Sequence, residues 1–266
     1  MPRAMWSGAI SFGLVTIPVR LFGAVSTKSI RFNQIDTRTD ARVKRKWVSA
    51  ADGSDVANED IVKGYELGNG RFVTVTEDEL AALDPDASRS IDIVEFVDGA
   101  EIDPVYYDSP YYLAPDELGA KAYRLLAEAL ERENKVAIAR FVMRNRQYLA
   151  AIRSSRGALV LSTMNYADEV RSADEIDDLE RVADIEVSDA ELTMASQLID
   201  SLTTSFEPGK FTDTYRERVT ELIEAKAAGE TFEAGESATP SSDELVDLMA
   251  ALEASVAAAK ESRKSA

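Results

Sequence analysis

Two clusters of Arg and Lys carry the most distinctive chemistry in this chain. Residues 1–46 hold nine (Arg3, Arg20, Lys28, Arg31, Arg38, Arg42, Lys44, Arg45 and Lys46) against two acids, Asp36 and Asp40. Residues 135–156 hold six (Lys135, Arg140, Arg144, Arg146, Arg153 and Arg156) and no acid. Everything else is strongly acidic, and the 266 residues sum to a formal net charge of −18. Cations framed by acidic flanks point to a polyanion held in a confined place, because the acids repel phosphate elsewhere. The competing reading is that these cations are neutralised by nearby Asp and Glu in the fold.

Other chemistries are removed by composition. The chain has neither His nor Cys. Disulfides, thiol nucleophiles, thiolate or imidazole metal sites and histidine general bases are therefore impossible. With 48 Asp and Glu, a pair resembling a glycosidase dyad arises by chance and identifies nothing. No phosphate-binding glycine loop of either common pattern occurs. No catalytic residue, metal ligand or cofactor is assigned. The apolar stretch Met5–Leu21 is punctuated by Ser7, Gly8, Ser11, Gly13, Thr16 and Pro18, which argues against a membrane span or signal peptide. The absence of Cys leaves the redox compartment open, with the cytoplasm favoured by default.

The elements that must position the cations are β in the first half. Ala9–Phe12 and Leu14–Phe22 form strands broken at Gly13, with Pro18 marking an edge or bulge. Ile30–Ile35 and Arg42–Val48 (RVKRKWV) alternate as strands do, as do Arg71–Val75 and Ile91–Val97. Thr76 and Glu79 make a capping box for a short helix through Leu83. Asp116 caps a helix to about Glu133, with Leu118, Ala122, Leu125, Leu126, Ala129 and Leu130 on its apolar stripe. Three strands follow, Val136–Met143, Gln147–Arg153 and Ala158–Thr163, the first two joined by a tight hairpin at Arg144-Asn145-Arg146.

From Ser188 the pattern is helical. Ser188 and Glu191 form a second capping box, and Leu192, Ala195, Leu198, Ile199 and Leu202 give an apolar face. A helix over about Asp213–Ala228 turns Tyr215, Val219, Leu222 and Ile223 inward and ends at Gly229. Residues 235–242 read as a linker. Beyond it Leu245, Leu248, Met249, Leu252 and Val256 form one stripe on a terminal helix with a basic end. Such a helix either folds back on the core or is presented to a partner groove.

The segment AMWSGAISFGLVTIPVRLF (Ala4–Phe22) resembles the opening signature of the prokaryotic Ku family, the DNA-end-binding proteins of non-homologous end joining. Further segments agree in family order: VKGYELGNGRFVTVTEDELAAL (Val62–Leu83), RSIDIVEFV (Arg89–Val97), EIDPVYYDSPYYLAPDE (Glu101–Glu117), KVAIARFVMRNRQYLAAIR (Lys135–Arg153) and DTYRERVTELIEAK (Asp213–Lys226). Together they cover nearly all of residues 4–230.

The resemblance implies an α+β fold: a Ku core β-barrel with a long bridging arm (about 28–71) and a C-terminal helical arm (about 188–229), forming a ring-shaped homodimer. The core would span residues 1–234, followed by the linker 235–242 and a partner-binding helix and basic end at 243–266. Duplex DNA would thread the ring from a broken end. The implied DNA-binding residues are Arg31, Arg38, Arg42, Lys44, Arg45, Lys46, Lys63 and Arg71 from the arm, with Arg140, Arg144 and Arg146 from the barrel. Leu245, Leu248, Met249, Leu252 and Val256 would meet a dedicated end-joining DNA ligase. The protein would be no enzyme, need no cofactor, and act in double-strand break repair and recombination after DNA damage.

Three features depart from the family's pattern. Where some members carry a Cys pair, this chain reads Val48-Ser49-Ala50-Ala51-Asp52-Gly53-Ser54, so a zinc role there is not expected. The Lys-rich extension of some relatives is replaced by a short end at Lys264-Ser265-Ala266. The acidic balance is unusual for a DNA binder. Two readings from other classes remain: an acidic scaffold without DNA binding, and a carboxylate-dependent hydrolase with two acids of separated pKa in one pocket.

Overall fold

The computed structural model describes residues 2–82, 89–144, 146–183, 185–229, 251–252 and 255–258. It divides into two compact units, 1–171 and 172–266. The first is built on β1 (Trp6–Phe12), β2 (Val15–Gly23), β3 (Ile35–Asp36), β4 (Ala41–Arg42), β5 (Lys63–Glu66), β6 (Phe72–Val75) and α1 (Glu77–Ala82). It continues with β7 (Ser90–Asp98), β8 (Tyr107–Pro115), α2 (Ala120–Glu133), β9 (Lys135–Met143), β10 (Arg146–Ser155) and β11 (Ala158–Met164). The second contains α3 (Asp177–Ala183), α4 (Asp189–Leu202) and α5 (Thr214–Ala228).

Seven strands close a barrel in the order β1-β2-β8-β11-β10-β9-β7. Six neighbouring pairs are antiparallel, so the odd strand number forces the closing pair, β1 with β7, to run parallel. That seam is short: Ala9, Ile10 and Ser11 face Ser90, Ile91 and Asp92. Strand alternation turns Ile10, Ile17, Leu21, Ile91, Phe141, Ile152, Leu159 and Leu161 into the barrel. Trp6 caps this interior. Its ring meets Phe141 edge-on at 5.9 Å, and its Nε1–H donates to the Val142 carbonyl at 3.1 Å.

Helix α2 joins the same core through Tyr123, Leu126, Ala127 and Leu130. The expected stripe is thereby rotated: Leu118 is fully and Leu125 largely exposed, and Tyr123 and Ala127 take the inner face. The Tyr123 hydroxyl decides this. It donates to the Leu113 carbonyl and accepts the Leu159 N–H, both at 2.7 Å, tying α2 to β8 and β11. Asp116 does not cap the helix itself but accepts the Gly119 N–H one turn earlier, and α2 starts at Ala120. Pro18 sits where β2 pairs with β1 alone, since the ladder to β8 begins at Val19. Its missing N–H therefore costs no bond on that side.

Two sequence-predicted strands do not form as expected. Ile30–Gln34 carries no strand, and RVKRKWV contributes only Arg42 to β4. Beyond Val43, whose N–H donates to the Gln34 carbonyl, residues 44–46 have no ladder partner. Alternation without a neighbouring strand leaves the backbone groups to water, so no sheet face is defined. All of Arg42–Val48 is exposed.

In the second unit the expected capping box forms, and Asp213 adds a cap that was not read from the sequence. Ser188 and Glu191 exchange the two capping-box bonds at the start of α4, and Asp213 accepts the Arg216 N–H at the start of α5. Gly229 closes α5 at φ +78°. The faces expected to turn inward do not. Leu192, Ile199, Leu202 and Tyr215 are all more than half exposed, and neither helix buries a residue.

Candidate nucleic-acid interface

All eleven cations singled out from the sequence are exposed, and the structure separates them by partnership. Four are engaged with acids. The Arg38 guanidinium holds Asp36 at 3.0 Å, Lys46 contacts Asp55, Lys63 contacts Glu77 at 3.0 Å, and Arg146 contacts Glu169 at 2.9 Å. Arg146 also lies over the Tyr148 ring, 5.3 Å from its centroid. Arg31, Arg42, Lys44, Arg45, Arg71, Arg140 and Arg144 make no ion pair among the described residues. Neutralisation therefore accounts for a minority of the set. Even the paired four stand in water, where an ion pair is worth about 0–1 kcal/mol and a phosphate can displace the acid.

Local structure explains these placements. Asp40 (φ 56°) turns β3 back into β4 and projects the basic run beyond the short hairpin. Arg71 follows a tight reversal in which Gly68, Asn69 and Gly70 all have positive φ, joining β5 to β6. Met143 pairs with Arg146, leaving a two-residue hairpin loop that puts Arg144 at φ 55° on the tip. Arg140 is on the outer face of β9, directly across from Asp92 of β7. Among the described residues no ion pair joins the cations of residues 31–71 to those of β9 and β10.

Arg20 of β2 and Arg153 of β10, counted in the two basic clusters but not among the eleven, are also exposed on the barrel's outside and make no ion pair among the described residues. The signal was available in strand parity, since Val19, Leu21 and Ile152 beside them point inward.

Two clefts among the described residues give no support to carboxylate catalysis. One, of about 420 Å³, is apolar and lies between Phe12, Val15, Phe96 and the α2 residues Leu125 and Ala129, with Glu133 its single acid. The other, of about 430 Å³, lies beside Trp47, Ile61, Val62 and Lys63, and its single acid is Glu77. Four carboxylates, Asp52 and Glu79 exposed and Asp36 and Glu191 half-buried, sit below the ordinary range for structural reasons. Asp36 is lowered by the Arg38 side chain and N–H, Asp52 by the Ser54 N–H and hydroxyl, Glu79 by the Thr76 N–H and hydroxyl, and Glu191 by the Ser188 hydroxyl and N–H. Among the described residues no group of three or more Asp and Glu is placed to hold a metal ion.

Of the proposed ligase-facing stripe, Leu245, Leu248 and Met249 lie outside the described residues. Leu252 is half-buried and Val256 is 6% exposed, so Val256 does not present its side chain to solvent. No helix among the described residues is long and apolar enough to cross a membrane.

A closed seven-stranded barrel with a helix in its core, bearing unpaired Arg and Lys on its hairpins and on the segment between β2 and β7, is the Ku type of barrel. The family model for the Ku70/Ku80 beta-barrel domain matches residues 11–194. Among curated relatives, a non-homologous end joining protein Ku from Anaeromyxobacter sp. (strain K) is 48% identical over 98% of this chain and 87% of its own length. Another of that name from Heliobacterium modesticaldum is 42% identical over 98% of this chain and 94% of its own. A third, from Frankia casuarinae, is 43% identical over 98% of this chain, which spans only 65% of that longer protein. The chain belongs to the Ku family.

Proposed function

We propose that this protein binds the ends of double-stranded DNA without regard to sequence, as a homodimeric ring, protecting them and recruiting a dedicated ligase for non-homologous end joining. The observation that carries the reading is the set of seven exposed, unpaired cations on a chain of net charge −18 that shares 41–48% identity with proteins named for end joining. Phosphate contacts from Arg and Lys position a duplex but carry no sequence information, which suits breaks that fall anywhere. Ring topology supplies the selectivity for ends: a closed circle of protein admits DNA only where the duplex stops. The acidic remainder disfavours DNA on the outside.

Uncovered apolar surface supports self-association. Trp47, Tyr65, Phe72, Ile199, Phe206 and Phe211 are each more than 60% exposed, beyond what scattered surface residues require. The deciding experiment is a gel shift comparing a linear duplex with the same sequence as a covalently closed circle. Nanomolar binding to the linear form and far weaker binding to the circle are expected. Equal affinity for the two would sink the ring.

A further inference from the structure

We infer that Tyr148 and Glu169 are positioning residues for DNA binding: together they hold the Arg146 guanidinium ready for a backbone phosphate, and Glu169 stands where that phosphate binds. The inference rests on the end-binding reading and deepens it at one of its cations. Arg146 opens an inward-facing row of β10 that continues through Tyr148, Ala150 and Ile152, and it pairs across the hairpin with Met143 of β9. Ala150, Ile152 and Met143 are buried in the barrel core, and Tyr148 packs against it. Arg146 is exposed, so the row reaches solvent there, at the end of the barrel. A column of rings leads up to it. Trp6 meets Phe141 at 5.9 Å, Phe141 meets Tyr148 at 5.6 Å, and the Arg146 guanidinium lies 5.3 Å from the Tyr148 centroid.

An acid fixes the guanidinium from the side. Arg146 Nη2 donates to Glu169 Oε1 at 2.9 Å, while Oε2 of the same carboxylate accepts the Tyr166 N–H at 2.8 Å. The segment that carries Glu169 is itself tied to the barrel. The Asn165 N–H donates to the Tyr106 carbonyl at 2.8 Å, and the Asn165 side-chain amide donates to the Val105 carbonyl at 3.2 Å. A guanidinium has five N–H donors, and among the described residues Glu169 is the one hydrogen-bond partner of Arg146. With the side chain 59% exposed, the other donors are left to water. Arg140 and Arg144 of the same hairpin have neither a ring beneath them nor an ion pair among the described residues.

A phosphodiester is the ligand this arrangement selects. Like the Glu169 carboxylate, it carries one negative charge and offers two oxygens to the guanidinium fork. Stacking on Tyr148 occupies a face of the guanidinium and leaves its N–H groups free to donate in their own plane. A loose Arg side chain loses rotamer freedom on binding, whereas this one has lost it beforehand. An ion pair in water is weak, so a charge-dense duplex displaces the acid readily. None of this reads a base, which keeps the contact indifferent to sequence.

The test uses the full chain and a blunt linear duplex, read by fluorescence anisotropy over a salt series. Glu169→Gln keeps an acceptor for the Tyr166 N–H and removes the charge; it should bind about two- to fivefold more tightly. Tyr148→Leu should bind about two- to fivefold more weakly at an unchanged salt slope, and Tyr148→Phe, which keeps the ring, should match wild type. Arg146→Gln should lower the salt slope by about one. In the Arg146→Gln background the effects of Glu169→Gln and Tyr148→Leu should both vanish. Unchanged affinity of Glu169→Gln overturns the proposal, as does an equal gain in the Arg146→Gln background, since Glu169 is then an ordinary surface charge. A Tyr148→Leu loss that persists in that background overturns it too, the ring being then only structural. A wild-type chain that does not bind the duplex refutes the end-binding reading itself.

Discussion

Gly8 sits where the barrel closes, and nothing larger fits there. A Cβ at this position would lie 2.1 Å from the Arg89 carbonyl oxygen and 2.2 Å from the Trp6 ring. That same carbonyl accepts the Ala9 N–H at 2.8 Å and so ties β1 to the start of β7. Gly8→Ala must push the seam apart, and a loss of about 1–3 kcal/mol is expected in thermal or urea unfolding. Tyr123→Phe tests the other end of the core: it strands the Leu159 N–H and the Leu113 carbonyl, at a cost of about 1–3 kcal/mol. Among the cations, partnership sets the ranking. Lys44→Gln or Arg140→Gln should weaken duplex binding uniformly across sequences and reduce the salt slope by about one each. Arg38→Gln should change less, since its guanidinium is already shared with Asp36. Fluorescence anisotropy over a salt series reads both quantities.

At the scale of elements, α4 depends on its cap because it buries no side chain in this chain. Glu191 is held below its ordinary value by the Ser188 hydroxyl and N–H. A lowered carboxylate pKa means that its contribution is complete above the ordinary pKa and lost as pH falls through the lowered one. The first turn of α4 should therefore keep its amide protection at neutral pH and lose it in acid below the ordinary Glu range. Hydrogen exchange at residues 188–192 measures this. Ser188→Ala should bring the loss to neutral pH, with DNA binding by the first unit unaffected. The basic run shows the opposite dependence. Its alternation predicts a strand, yet only its ends pair, Arg42 with Ile35 and Val48 with Asp55, so Lys44, Arg45 and Lys46 have no ladder partner and are set by the segments on either side rather than by a sheet.

For the whole molecule, the expectations concern assembly. If about half of the unpaired cations of a dimer, roughly seven, each displace a counterion, affinity should fall roughly 10³- to 10⁴-fold between 50 and 200 mM salt. Size-exclusion mass should correspond to a dimer without DNA and to a dimer on a short linear duplex. Removing residues 236–266 should abolish stimulation of an end-joining ligase while DNA binding stays nearly intact. Loss of both together would assign the segment to the structure, a result that the burial of Val256 makes worth measuring directly.

The sequence by itself determined what depends on near neighbours. The strand break at Gly13, the hairpin at Arg144, the capping boxes at Thr76 and Ser188, the Gly229 stop and the segregation of charge are all set within a few residues, and the structure contains them. The family was legible for the same reason, as short segments in a fixed order. Tertiary structure decided what depends on distant partners. Trp6 finds its acceptor 136 residues away, Tyr123 turns α2 by bonding strands on both sides of it, and the parallel seam follows only from closing an odd number of strands. Which cations are free was likewise invisible in composition, because Glu77 and Glu169 reach Lys63 and Arg146 only through the fold. The column of Trp6, Phe141, Tyr148 and Arg146 joins segments that no local pattern connects, since cross-strand register is a property of the closed barrel and not of any one strand.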